Sequence, residues 1–289
     1  MTTRQINQLI PSMSTSDGAG VKLLRSLGAR QHLRLDPFLM LDEFGSDQPG
    51  DYIAGFPPHP HRGFETVTYM LEGHMLHEDH MGNKGHLRSG DVQWMTAAHG
   101  IIHSEMPQQE QGLLRGFQLW INLPAKEKMK PASYRDIPAA KIPIVTLDNG
   151  GTVKVIAGAY QHHTQQINGP IQGLATQPLY LDVHLPAGQQ FMQTTPPEHN
   201  ALLYVYEGQV SVENAPIATH TAALLNAGDQ IVANATNDAC FLLLAAQPLN
   251  EPVVQYGPFV MNTREEIEQA IRDYQSGHLV NSKAMAFNE

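Results

Sequence analysis

Two stretches of this 289-residue chain repeat one another. YMLEGHM begins at Tyr69 and YVYEGQV at Tyr204, 135 residues later; SGDVQWM carries Gly90 and AGDQIVA carries Gly228, 138 residues later. In both copies a strand-like run ends in Glu-Gly, a hairpin follows, and Gly-Asp opens another strand. Two copies at a nearly constant offset imply a duplicated β domain. The 24 glycines and 20 prolines punctuate the chain at strand-length intervals, as short antiparallel strands require. Helix is expected at two places only. One is short, around Ala125–Met129. The other is TREEIEQAIRDYQSG, where Thr263 and Glu266 form a capping box, Ile267, Ala270, Ile271 and Tyr274 recur at helical spacing, and Gly277 supplies the stop. The connection between copies falls in the Pro-, Gly- and Gln-rich stretch 125–178. We place the boundary at residue 140, giving domains 1–140 and 141–289.

Composition excludes several classes of function. The net charge is -10 and no basic run stands free of acidic residues, so phosphate-driven nucleic-acid binding is disfavoured. No apolar stretch is long enough to span a membrane, and the N-terminus does not read as a signal peptide. A single cysteine, Cys240, forbids an internal disulfide and sits in an apolar run as an inert thiol. These features lead us to expect a cytoplasmic protein.

The chain is rich in histidine, with fifteen. In FPPHPHRGFETV, His59 and His61 are two apart. Residues at that spacing on a strand point to one face, and Pro60 between them suits an edge strand or strand start. GIIHSEMP repeats the spacing with His103 and Glu105. Two such pairs on neighbouring strands supply three nitrogens and a carboxylate. That set differs from the thiolate-rich tetrahedron of structural zinc. It suits one divalent first-row metal with open positions, iron(II) first, with Mn, Ni, Co, Cu or Zn able to take the same ligands. Glu65 competes with Glu105 for the carboxylate role, having the strand parity of His59 and His61. His77 and His80, three apart, read as surface or turn residues. His99 reads as a loop residue beside the site. His162 and His163 are adjacent in a polar loop with no carboxylate partner in the sequence.

The repeat serves as an internal control. Carrying the two offsets over places Thr194–Pro196 opposite the first pair and Phe241 and Leu243 opposite the second, so the second copy keeps the scaffold and lacks the ligands. His199 is alone near that place, and no second metal is expected there.

DPFLMLDEF, FPPHPHRGFETVTYMLEG, GDVQWMTA, GIIHSEMP, FQLWINLP and GPFVMNTREEI together resemble the pirin family, from about Asp36 to Tyr274. The resemblance implies an all-β bicupin: two antiparallel β-barrels (double-stranded β-helices) with a short C-terminal helix. It implies one iron site in the first barrel with ligands matching His59, His61, His103 and Glu105, so that Glu105 rather than Glu65 coordinates. It implies two activities. One is a quercetin 2,3-dioxygenase, taking a flavonol and dioxygen, with Glu105 as catalytic base and Phe56, Phe64, Trp94, Met95, Phe117 and Gln118 as candidate pocket walls. The other is an iron-dependent redox sensor that binds a protein partner, a transcription factor or a metabolic enzyme.

Overall fold

A computed structural model describes residues 1–30, 33–148 and 150–280. Each of its two units is built from a seven-stranded and a four-stranded antiparallel sheet. In the first barrel the larger sheet runs Ser133–Ile137, Val92–Thr96, Phe64–Glu72, Leu114–Asn122, Phe38–Ser46, Val21–Arg25, Met13–Asp17. The smaller runs Phe56–His61, Ile101–Pro107, His74–Asp79, Lys84–Arg88. The second barrel repeats this order, with Ile6–Pro11 at the place of Ser133–Ile137, Asn200–Glu207 at the place of Phe64–Glu72, and Gln190–Thr194 beside Gln230–Ala235 in the smaller sheet. This is the two-barrel, all-β architecture expected of a bicupin, with one α-helix, Arg264–Gln275, among the described residues and a single 3-10 turn, Ala125–Glu127, where the short helix is expected.

The main segments of the two compact units meet at Ala139 and Ala140, and each unit takes in further segments from elsewhere in the chain. Met1–Met13 and Ser26–Pro37 belong with Ala140–Pro248, whereas Ser14–Arg25, Phe38–Ala139 and the segment from Leu249 on form the other unit. The physical reason is strand pairing. Ile6–Pro11 completes the edge of the second barrel's larger sheet by bonding Thr221–Leu225, and the C-terminal helix packs Ile267 and Ala270 against Phe259, Met261 and Leu279 of the first. The helix opens as its sequence dictates: Thr263 accepts from the Glu266 amide while the Glu266 carboxylate returns to the Thr263 amide.

The repeat is real but its second landmark joins unlike turns. Glu72-Gly73 and Glu207-Gly208 do end equivalent strands. Gly90-Asp91, however, leads into Val92–Thr96 of a larger sheet, while Gly228-Asp229 leads into Gln230–Ala235 of a smaller one. The hairpin after Glu-Gly is shorter in the second barrel, Val210–Val212 and Ala215–Ile217 against His74–Asp79 and Lys84–Arg88, so the offset changes within the copy.

One buried cation knits the first barrel together. Lys128, 1% exposed, donates from Nζ to Gly63 O at 2.6 Å, Asn122 Oδ1 at 2.6 Å and Val260 O at 3.0 Å. Burial pulls this ammonium down to about 8. Replacing it by Lys128→Met leaves three buried acceptors without a donor. We expect a loss of about 2–4 kcal/mol of stability, read as a lowered urea midpoint with an unchanged slope.

Candidate metal centre

The strand Phe56–His61 holds three prolines, which cannot donate to a ladder, and it lies at the edge of the four-stranded sheet. Its one partner, Ile101–Pro107, sets His59 opposite His103 and His61 opposite Ile101. The three imidazoles of His59, His61 and His103 each offer a nitrogen within 4.8 Å of the others. His59 Nε2 and His61 Nε2 are 3.0 Å apart. His59 Nδ1 lies 2.9 Å from Pro57 O, which fixes the proton there and leaves Nε2 as a lone pair. His103 Nε2 is buried with no hydrogen-bond partner.

Electrostatics keep His61 and His103 neutral. Burial first, and then the neighbouring imidazoles, hold both well below the usual imidazole range. Imidazole nitrogens that converge in a buried place, with His103 Nε2 left without any hydrogen-bond partner, are costly unless a cation is shared. The donor set therefore fits a divalent metal.

Glu105 stands two residues beyond His103 on the same strand, after a register shift. Its carboxylate lies outside the group formed by the three imidazoles. Oε1 instead accepts from Thr68 Oγ1 at 3.0 Å, and that hydroxyl also lies 2.6 Å from Gln118 Oε1. Burial pushes the Glu105 carboxyl up, opposed by His59.

Glu65 is placed differently from what its strand parity suggests. The chain leaves the smaller sheet at His61, turns at Arg62-Gly63 and enters the larger sheet at Phe64. Parity does not carry through that turn. Phe64 meets the His61 ring at 5.1 Å and Thr68 meets Glu105, so the even residues face the site. Glu65 points to the opposite face and accepts from Thr96 Oγ1 at 2.6 Å. By the same register, Trp94 and Phe117 stand opposite Val67 and Tyr69 and face away, while Met95 and Gln118 stand opposite Thr66 and Thr68 and face inward.

His77 is a site residue that the sequence reading missed. It is 0% exposed, on the strand cross-paired to Glu105, and its Nε2 lies 2.8 Å from His103 Nδ1. It thereby orients the His103 ring and leaves Nε2 free. Burial lowers it to about 4. The alternation Met75, His77, Asp79 could have shown that His77 shares a face with a core residue; comparing His77 with His80 concealed it. His80 and His99 are half-buried, and the His99 carbonyl accepts from the Arg62 guanidinium. Cys240 is half-buried and cross-paired with His184, rather than fully buried.

Strand equivalence corrects the internal control. His59 and His61 correspond to Gln193 and Thr195, and His103 and Glu105 to Ile231 and Ala233, since Gln193 pairs with Ile231 as His59 pairs with His103. Phe241 and Leu243 belong to the larger sheet. The contrast extends across that sheet. Arg25, Asp42, Gln118 and Thr68 stand in one cross-strand row in the first barrel; Val155, Leu181, Leu243 and Leu203 form the matching row in the second. Arg25 grips Asp42 with bonds of 2.8 and 2.7 Å. Burial nonetheless pushes the Asp42 carboxyl up to about 6.

Comparison with known proteins shows the family. The family model described as Pirin matches residues 20–121, and that described as Pirin C-terminal cupin domain matches 180–280. The chain belongs to the pirin family. It is 54% identical over 279 residues to a Pseudomonas aeruginosa protein provisionally named a quercetin 2,3-dioxygenase, covering 96% of this chain and 98% of that one. It is 40% identical to pirin of Homo sapiens, over 95% of this chain and 93% of that one. A crystal structure titled quercetin 2,3-dioxygenase, from Acinetobacter baumannii, superposes with a TM-score of 0.88 at 35% identity, covering 97% of this chain and all of that one. No helix among the described residues of this pirin-family chain is long and apolar enough to cross a membrane.

Replacing His77 by Phe keeps bulk and removes the bond to His103. We expect divalent-metal affinity to fall about tenfold to a hundredfold in chelator competition. The pH response of metal-free protein has a definite sign. Unfolded His77 takes a proton near pH 6.5, whereas the folded residue does so only near 4. Wild-type stability therefore falls as pH drops through that window, and urea melts of H77F should show a shallower slope there.

Proposed function

We propose that this chain is a metal-dependent dioxygenase that cleaves flavonols such as quercetin, with His59, His61, His103 and Glu105 as ligands and iron(II) as the metal. The observation that carries the reading is the partnerless Nε2 of His103 beside the 3.0 Å approach of His59 and His61. The quercetin dioxygenase names of relatives at 54% and 35% identity support the substrate class.

A divalent metal held by these residues would acidify the flavonol 3-hydroxyl and gather it with dioxygen. The protein's own part is positioning and proton transfer. His77 holds the His103 ring, and Phe64 and Trp120 pack edge-on against His61 at 5.1 and 5.3 Å. Glu105 takes the 3-hydroxyl proton. Its carboxyl is raised by burial, which strengthens it as a base, and its bond to Thr68 gives it a resting place outside the imidazole group. Both atoms of dioxygen enter the cleaved ring product, and carbon monoxide leaves.

Two variants test this. His59→Ala should lose most of its bound metal and its quercetin consumption together; continued consumption by a metal-free variant would refute the proposal. Glu105→Gln should lower kcat by about a hundredfold or more while KM changes little. Wild-type protein that binds iron(II) anaerobically yet takes up no oxygen with any flavonol would favour the redox-sensing regulator, whose test is a protein partner captured in one oxidation state alone.

A further inference from the structure

We propose that the second barrel carries a separate metal site, built by Asp148, His162 and His163, that takes a divalent first-row transition cation such as zinc(II). The sequence shows adjacent histidines with no acidic neighbour. The fold supplies one: Asp148 Oδ2 lies 3.0 Å from His163 Nε2, and each of the three residues offers a ligand atom within 4.8 Å of the others. Two imidazoles and a carboxylate are a transition-metal donor set, with remaining positions open to water.

Two further features separate this cluster from a chance ion pair. His163 occupies the left-handed region, at φ +52, in the two-residue connection between Ala159–His162 and Gln165–Asn168. A non-glycine residue there carries strain, and the conformation turns His163 toward His162, ring centroids 4.2 Å apart. His162 in turn stacks on Tyr160 at 6.0 Å and 21°, and Tyr160 stacks on buried Phe191. The imidazole is thus backed by a fixed aromatic wall. The cluster lines a cavity of about 410 Å³ with that wall on one side. A cation there would tie the hairpin to the turn that closes with Leu147 N donating to Gly151 O at 2.8 Å.

The site differs in residues and chemistry from the three-imidazole centre, so the two can fail independently. Untagged full-length protein, stripped by a chelator, is titrated with zinc(II) alone and followed by calorimetry and native mass spectrometry. We expect His162→Ala/His163→Ala to bind one ion fewer than wild type. Asp148→Asn should weaken that same event at least about tenfold, a direct ligand mattering no less than an outer-shell one. His59→Ala/His103→Ala should leave it intact. Wild-type stoichiometry and affinity in His162→Ala/His163→Ala would overturn the proposal and reduce the cluster to an ion pair. A readout without substitution is the broadening of the His162 and His163 ring proton signals by substoichiometric cobalt(II); sharp signals would count equally against the site.

Discussion

The turn at Arg62-Gly63 governs the first barrel. Between His61 and Phe64 the chain passes from the smaller sheet to the larger, and every polar group at that passage is buried. Gly63 sits at φ +92, and a Cβ there would run into the Val260 carbonyl. Its amide donates to Ala98 O and its carbonyl accepts from Lys128. Arg62, 3% exposed, donates to His99 O, to Leu279 O and to Asp273 at 2.6 Å. Buried charges of this kind hold only when fully partnered. The C-terminal segment supplies several of the partners, which explains why it belongs with the first barrel. The direction in which His59 and His61 project follows from this anchoring.

The second constraint is the interior itself. A strand pair with three imidazoles and a carboxylate on its inner face cannot be covered by leucines. In the first barrel the facing sheet answers with Thr68, Gln118 and the Arg25–Asp42 pair; in the second, where Gln193, Thr195, Ile231 and Ala233 occupy the ligand places, the same row is Leu203, Leu243, Leu181 and Val155. One topology thus carries two interiors, and the inner face of the larger sheet tracks the chemistry of the smaller. A polar network of this sort rigidifies a site only if its members are satisfied, and the Thr68 hydroxyl stands between Glu105 and Gln118 with one proton for the two.

Sequence alone determined the all-β class, the duplication, the capped C-terminal helix, and the pairing of His59, His61 and His103 as inward-facing residues, because strand periodicity and capping are local rules that read directly from spacing. Its net charge of -10 also disfavours a phosphate-gripping surface. Tertiary structure decided the remainder. Parity resets at a sheet-to-sheet turn, so Glu65 faces away although its spacing suggests otherwise. His77 lies under His103, and Asp148 beside His163, because strand register brings together residues far apart in number. Chain order could not foretell that Ile6–Pro11 completes the edge of the second barrel's larger sheet, because edge strands pair with whatever sheet leaves an unfilled ladder, and which edge is open is a property of the folded whole.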